Sequence, residues 1–173
     1  MAILLSVGDF IRRAWRPHDA VLGREDDLKG YHDIERHPTA RRIPGLLLYR
    51  FDAPLFFANA GHFRRRVRRL VDDATTPVRW VVVAAEPITD IDTTAADTLR
   101  ELLDELRAEG VSLAFAELKG PVKDRLRRYD LFDAVGPDRL YPTVGTAVDG
   151  YVEATGTTWV DWEERLPAPA PEP

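Results

Sequence analysis

Asp92, Thr93 and Thr94 sit where a polar loop, residues 86–94, gives way to a helical pattern. A carboxylate and two hydroxyls at such a point suit two kinds of chemistry. They can cap the helix, because a side-chain oxygen there accepts one of the backbone N–H groups left open at a helix start, worth about 1 kcal/mol. A hydroxyl can also carry a phosphoryl group or stand beside a bound anion, since the helix end is partially positive. Asp90 and Asp92 would point the same way on an extended segment, as a carboxylate pair does, but no histidine or acidic partner can be placed beside them.

The other residues that could do chemistry do not assemble. The histidines are His18, His32, His37 and His62; no two are four apart, and there is no His-Glu-x-x-His motif, so no metal site is expected. No Gly-x-x-x-x-Gly-Lys-Ser/Thr loop and no Gly-x-Gly-x-x-Gly fingerprint occurs. Ser6 lies in an apolar leader and Ser112 inside a strand pattern, so neither suits a nucleophile. The absence of cysteine excludes disulfides, thiolate metal sites and a cysteine nucleophile, and fits a reducing compartment. The expectation is a non-enzymatic chain that requires no cofactor.

The elements that must position the loop can be read from the hydropathy pattern. Residues 78–85 are a nearly uncharged, β-branched run, which predicts a central strand buried on both faces. Residues 94–109 follow as a helix with Leu99, Leu102, Leu103 and Leu106 on one face, stopped by Gly110. Upstream, residues 45–51 read as a strand, 52–54 as a turn and 55–57 as a brief second strand. Asn59 reads as the N-cap of a helix over 60–74, whose Phe63, Val67, Leu70 and Val71 form a buried stripe. Downstream come a strand at 111–116, a helix at 121–129 opened by Pro121, a short strand at 139–141 and a last helix at 143–154. Residues 20–23 and 31–33 read as short edge strands. This alternation predicts an α/β fold: a mixed, mostly parallel β-sheet flanked by four or five helices, with right-handed crossovers.

The 173 residues suggest one domain, and 45% hydrophobic with 31% charged residues excludes both a wholly disordered chain and a polytopic membrane protein. The net charge of −5 conceals a split. The first 79 residues carry fifteen Lys and Arg against ten Asp and Glu; the remaining 94 carry nine against nineteen. Much of the basic half is one helix, with Arg65 and Arg69 on one flank, Arg64 and Arg68 on another, and Val67 facing in. Basic and aromatic residues are not interleaved there, which argues against nucleic acid. A solvated face, an anionic membrane surface and acidic loops of a partner all fit.

At the N-terminus an apolar stretch runs into Arg12, Arg13, Trp15 and Arg16. It is too short to span a bilayer, and its charge follows the apolar part, unlike a signal peptide. It reads either as a short amphipathic helix docked on the domain or as the cytoplasmic end of a membrane helix. At the other end, alternating prolines over 167–173 predict an extended tail, and Trp159 and Trp162 before it are expected to pack on the domain.

Two stretches carry a resemblance to a known family. Asp92-Thr93-Thr94-Ala95 is similar to the Asp-Ser-Ser-Gly of STAS-domain anti-sigma factor antagonists. Thr94 falls at their phosphorylated serine, with threonine for serine and alanine for glycine. Asp52-Ala53-Pro54-Leu55-Phe56-Phe57-Ala58-Asn59-Ala60 resembles a run found in SulP-type sulfate permeases and not in free antagonists. Residues 16–23 also resemble the permease junction, where the last membrane helix hands over to the domain. The resemblance spans about residues 1–155 and implies the STAS fold.

It further implies the cytoplasmic regulatory domain of a SulP-type sulfate or related anion transporter, at the cytoplasmic face of the plasma membrane. Residues 1–17 would then be the end of a membrane helix and its linker, 18–155 the STAS domain, and 156–173 an acidic, Pro-rich tail. The implied partners are the transmembrane domain of the same transporter and the inner leaflet, touched by Arg12, Arg13, Trp15, Arg65 and Arg69, with oligomers formed through the full transporter. Thr94, with neighbour Thr93, is the phosphorylation candidate. Asp92, Thr93, Thr94, Phe57, Asn59 and Ala60 are the candidates for a guanine-nucleotide (GTP or GDP) or anion site. The alternative is a free antagonist-like regulator switched by Ser/Thr phosphorylation.

Overall fold

The computed structural model describes residues 15–162. Its elements are β1 (Asp19–Arg24), β2 (Tyr31–Asp33), β3 (Leu46–Phe51), α1 (Ala60–Asp72), β4 (Trp80–Ala84), α2 (Thr93–Ala108), β5 (Ser112–Ala116), α3 (Gly120–Arg128), α4 (Phe132–Val135), β6 (Leu140–Tyr141) and α5 (Val144–Thr155). The strands form one sheet in the order β2-β1-β3-β4-β5-β6. β3, β4, β5 and β6 run parallel, while β1 is antiparallel to both of its neighbours. The mixed, mostly parallel sheet predicted from the alternation is what forms.

The period of two along the strands sorts side chains into two cores. Leu47, Tyr49 and Phe51 of β3, Val81 and Val83 of β4, and Leu113 and Phe115 of β5 face one core with Phe63 and Val67 of α1 and the leucines of α2. Leu46, Leu48, Trp80, Val82, Ala84, Ala114 and Ala116 face the other, which is covered by Val144, Ala147, Val148 and Tyr151 of α5. Every residue of β4 is buried.

Three local expectations are corrected, and one element is added. β1 is not an edge strand: it lies between β2 and β3, because its alternate residues Ala20 and Leu22 bury against the α5 core. The helix read to residue 74 ends at Asp72. Residues 55–57 do not form a strand; Leu55 alone bridges to Ile91, since Pro54 and the turn into α1 leave no room for a ladder. The four-residue helix α4 was not foreseen, its pattern being too short to show a period.

Trp159 and Trp162 pack on the domain as expected. The Arg41 guanidinium lies 4.7 Å from the Trp159 ring centroid and that of Arg24 lies 5.5 Å from Trp162. Buried Arg24 also pairs with Asp161 at 2.8 Å, and Trp162 Nε1 donates to the Leu28 carbonyl.

Across the outer surface α1 and α2 are joined by ion pairs. Arg64 meets Glu101 at 2.8 Å and also Glu105; Arg68 meets Glu109 at 2.6 Å. The Arg64 hydrogen bond holds the Glu105 carboxyl below its ordinary range, and Arg68 does the same for Glu109. Their stabilisation is therefore complete above the ordinary carboxylate pKa of 4.5 and is lost as pH falls below it, through the lowered folded-state range. Thermal melts should show Arg64→Ala less stable than wild type at pH 7, with the gap closing in acid. A gap that widens in acid would contradict this.

At the sheet's opposite end Gly45 holds φ +77, and a Cβ there would run into the Tyr151 hydroxyl, which donates to the Pro44 carbonyl at 2.7 Å. Gly45→Ala should cost about 2 kcal/mol or more in urea unfolding, from both the left-handed backbone and that collision.

Candidate functional site

Because β3 and β4 are parallel neighbours, their carboxyl ends lie side by side and the loops into α1 and α2 leave from the same edge. Backbone bonds sew those loops together. Leu55 N donates to the Asp90 carbonyl at 3.0 Å and Asp92 N to the Leu55 carbonyl at 3.2 Å. Leu55, Ile88 and Ile91 bury their side chains beneath the seam.

Asp92 completes the join. Its backbone is extended (φ −87, ψ 174), and its Oδ1 accepts from Ala95 N at 2.8 Å as the N-cap of α2. Its Oδ2 accepts from Phe57 N at 2.9 Å in the other loop. One carboxylate thus satisfies an open amide of α2 and fixes the loop that precedes α1. Such charge-assisted bonds are stronger than neutral ones.

Asn59 does not cap α1 with its side chain, which corrects the sequence reading. It is helical at φ −115, ψ −12, and its side chain makes no capping hydrogen bond. It is fully buried and turns back into its own loop, where Oδ1 accepts from Phe56 N at 3.0 Å and Nδ2 donates to the Pro54 carbonyl at 2.9 Å. A buried loop must find partners for its backbone, and the two-sided amide supplies both. Ala60 is also buried, and its amide is already bonded to the Phe56 carbonyl.

Phe57 is the opposite case. It is 69% exposed, with its ring set edge-on to Phe56 at 5.6 Å, while its amide is held by Asp92. Thr93 and Thr94 are exposed in the first turn of α2. The structure therefore brings Phe57, Asn59, Asp92, Thr93 and Thr94 to one junction, with Asn59 beneath it.

Two neighbours were missed in the sequence. Tyr129 closes the end of α3, and the nearby Thr93 hydroxyl and Arg125 guanidinium hold its phenol below the ordinary tyrosine range. Arg125 Nε lies 3.4 Å from Asp90. Only the docking of α3 brings them there, so no local motif announces them.

The remaining candidates lie apart from the loop. Arg65 and Arg69 are exposed on α1 and Trp15 is 52% exposed. Arg12 and Arg13 lie outside the described residues. Among the described residues no group of three or more His, Asp or Glu could hold a metal ion, and no helix is long and apolar enough to cross a membrane.

A family model for the STAS domain matches residues 37–147, which contain both loops and all three parallel strand pairs. The chain belongs to the STAS domain family. This STAS domain is 43% identical over 150 residues to a probable sulfate transporter of Mycobacterium tuberculosis, a match that covers 87% of the chain and 27% of that protein. The chain thus spans about a quarter of the length of the curated relatives it matches. In fold it is similar to the murine solute carrier 26 family member A9 anion transporter in its inward-facing state. That match has a TM-score of 0.77 at 18% identity and covers 87% of this chain and 24% of that one. The unphosphorylated anti-sigma factor antagonist SpoIIAA shares the fold at TM-score 0.51 and 15% identity, over 69% of this chain and 96% of its own.

Asp92→Ala removes both halves of the join. The lost cap alone costs about 1 kcal/mol. Hydrogen exchange at the Phe57 and Ala95 amides should quicken together by roughly tenfold or more. Acceleration at Ala95 with Phe57 unchanged would show that the two loops are held independently.

Proposed function

We propose that this STAS domain is a non-catalytic regulatory and interaction domain of a sulfate or related anion transporter. Its working surface is the junction of Phe57, Thr93 and Thr94, which meets the transmembrane part of the same polypeptide at the cytoplasmic face of the membrane. The carrying observation is Phe57, a large apolar ring turned to solvent while its own backbone is pinned by Asp92. An exposed aromatic on a preorganised loop has the character of an interface anchor, because little conformational freedom is lost on docking. The sulfate-transporter relative supports this setting over a free antagonist.

Thr94 is the point at which such a contact would be modulated. A phosphoryl group there adds charge at an exposed helix start, beside Phe57 and within the carboxylate field of Asp92. The same junction is where a guanine nucleotide would stack its base on Phe57 and bring phosphate to the first amides of α2. In that reading GTP or GDP at millimolar concentration shifts the Thr94 amide resonance, and Asp92→Asn, which removes an opposing charge, enlarges the shift. An unmoved resonance removes nucleotide from the account.

A chimaera tests the main proposal. The matching 150 residues of the Mycobacterium tuberculosis relative are replaced by this chain and sulfate uptake is measured. Uptake should be retained, then fall roughly tenfold with Phe57→Glu and respond to Thr94→Asp, while the isolated variants melt like wild type. Uptake unaffected by Phe57→Glu would contradict the proposal.

A further inference from the structure

Beyond α5 the chain turns back on itself. The helix ends at Thr155, Gly156 takes the left-handed φ +64 of a helix end, and Thr155 Oγ1 meets Thr157 Oγ1 at 2.8 Å. Residues 157–162 then run, as neither helix nor strand, to the end of β1 and the turn before β2. Every strand and helix of the described residues precedes this segment. Two arginines hold it by their side chains. The Arg41 guanidinium faces the Trp159 ring, and its Nη2 donates to the Val160 carbonyl at 3.5 Å. Arg24 Nε lies 2.8 Å from Asp161 Oδ2, with the Trp162 ring centroid 5.5 Å from the guanidinium.

Arg24 also has partners in the β1–β2 hairpin itself. Its Nη1 donates to the carbonyls of Leu28 at 3.3 Å and Gly30 at 2.7 Å, and the Tyr31 ring centroid lies 5.4 Å away. The same arginine lines a groove of about 600 Å³, shared by Leu22 and Ala84 of the sheet, Tyr31, Val144 and Asp149 of α5, and Asp161. When Asp161 leaves, the guanidinium keeps its hairpin bonds, and water from the groove takes the place of the carboxylate. The pair therefore parts without leaving a charge in a dry interior, the penalty that holds most buried pairs shut.

We propose that residues 157–162 are a strap that opens and closes over the β1–β2 hairpin as a unit of its own, with Arg24 and Asp161 as its latch. Closed, the strap supplies part of the groove wall. Open, it bares Tyr31 and turns the Arg24 guanidinium over to the groove. The sheet beneath is joined by backbone ladders, so lifting a segment clasped by two arginine side chains costs less than unfolding the body. Val160, already 45% exposed, loses little burial on opening. The device stands independently of the Phe57 junction.

Pulsed electron paramagnetic resonance on the full chain tests this, and the absence of native cysteine makes the labelling unambiguous. Nitroxides on Asp149→Cys and Val160→Cys, both exposed and neither part of the latch, report the distance between α5 and the strap. With the latch intact, one short distance should dominate over a minor longer one. Asp161→Asn and Arg24→Gln should each raise the longer population at least roughly tenfold. The double variant should raise it no further than either alone, because the two residues act as one pair. Amide exchange in β4 should stay unchanged throughout. A single distance in every variant would overturn the proposal, as would a longer distance that appears only with loss of β4 protection. So would an Asp161→Asn distribution identical to that of the intact latch. If Arg24→Gln does not fold, Asp161→Asn decides alone.

Discussion

Strand β4 is buried on both faces along its whole length, and the arrangement of everything around it follows from that constraint. A strand reading Trp-Val-Val-Val-Ala can sit only at the centre of a sheet with cover above and below. Its backbone pairs with β3 on one side and β5 on the other, both parallel, so each connection must cross over through a helix. Those helices, α1 and α2, cover one face, and α5 covers the other. The carboxyl ends of β3 and β4 are therefore adjacent whatever residues fill the loops.

The loops exploit that adjacency residue by residue. Leu55 drops into the core and lends its backbone to the neighbouring loop. Asn59 spends its amide on the loop's own polar groups. Asp92 spans the gap with both carboxylate oxygens. Phe57, Thr93 and Thr94 are left at the surface, alongside Pro54, Glu86, Thr89 and Asp90 of the same loops. A rigid base thus carries one apolar ring and two hydroxyls, a combination suited to a contact that charge can modulate. Asp92, as the N-cap, also partly neutralises the positive end of α2.

Much of this was legible in advance. The uncharged β-branched run at 78–85 and the leucine stripe of α2 announced the central strand and its partner helix, because burial on two faces and on one face leave different hydropathy periods. The strand-to-helix loop could be singled out for the same reason. What could not be read depended on tertiary contact. Asn59 has the composition of a helix cap, yet burial of its loop redirects it. Thr93 acts on the Tyr129 phenol from 36 positions away in the sequence, through the docking of α3. The basic run of α1 showed its charge but not its pairing; α2 neutralises Arg64 and Arg68, and β1 neutralises Arg66, leaving a narrower cationic flank than the count suggests.

Under the proposed function, Phe57 is the point at which this domain touches the rest of a transporter. The direct measurement is photocrosslinking from a benzoylphenylalanine at position 57 in a chimaeric transporter carrying this chain, with position 127 on the exposed side of α3 as the comparison. Crosslinks from position 57 to peptides of the membrane-spanning part, and none from position 127, are the predicted result. Crosslinks from position 127 alone, or none from position 57 in a functional transporter, would contradict it.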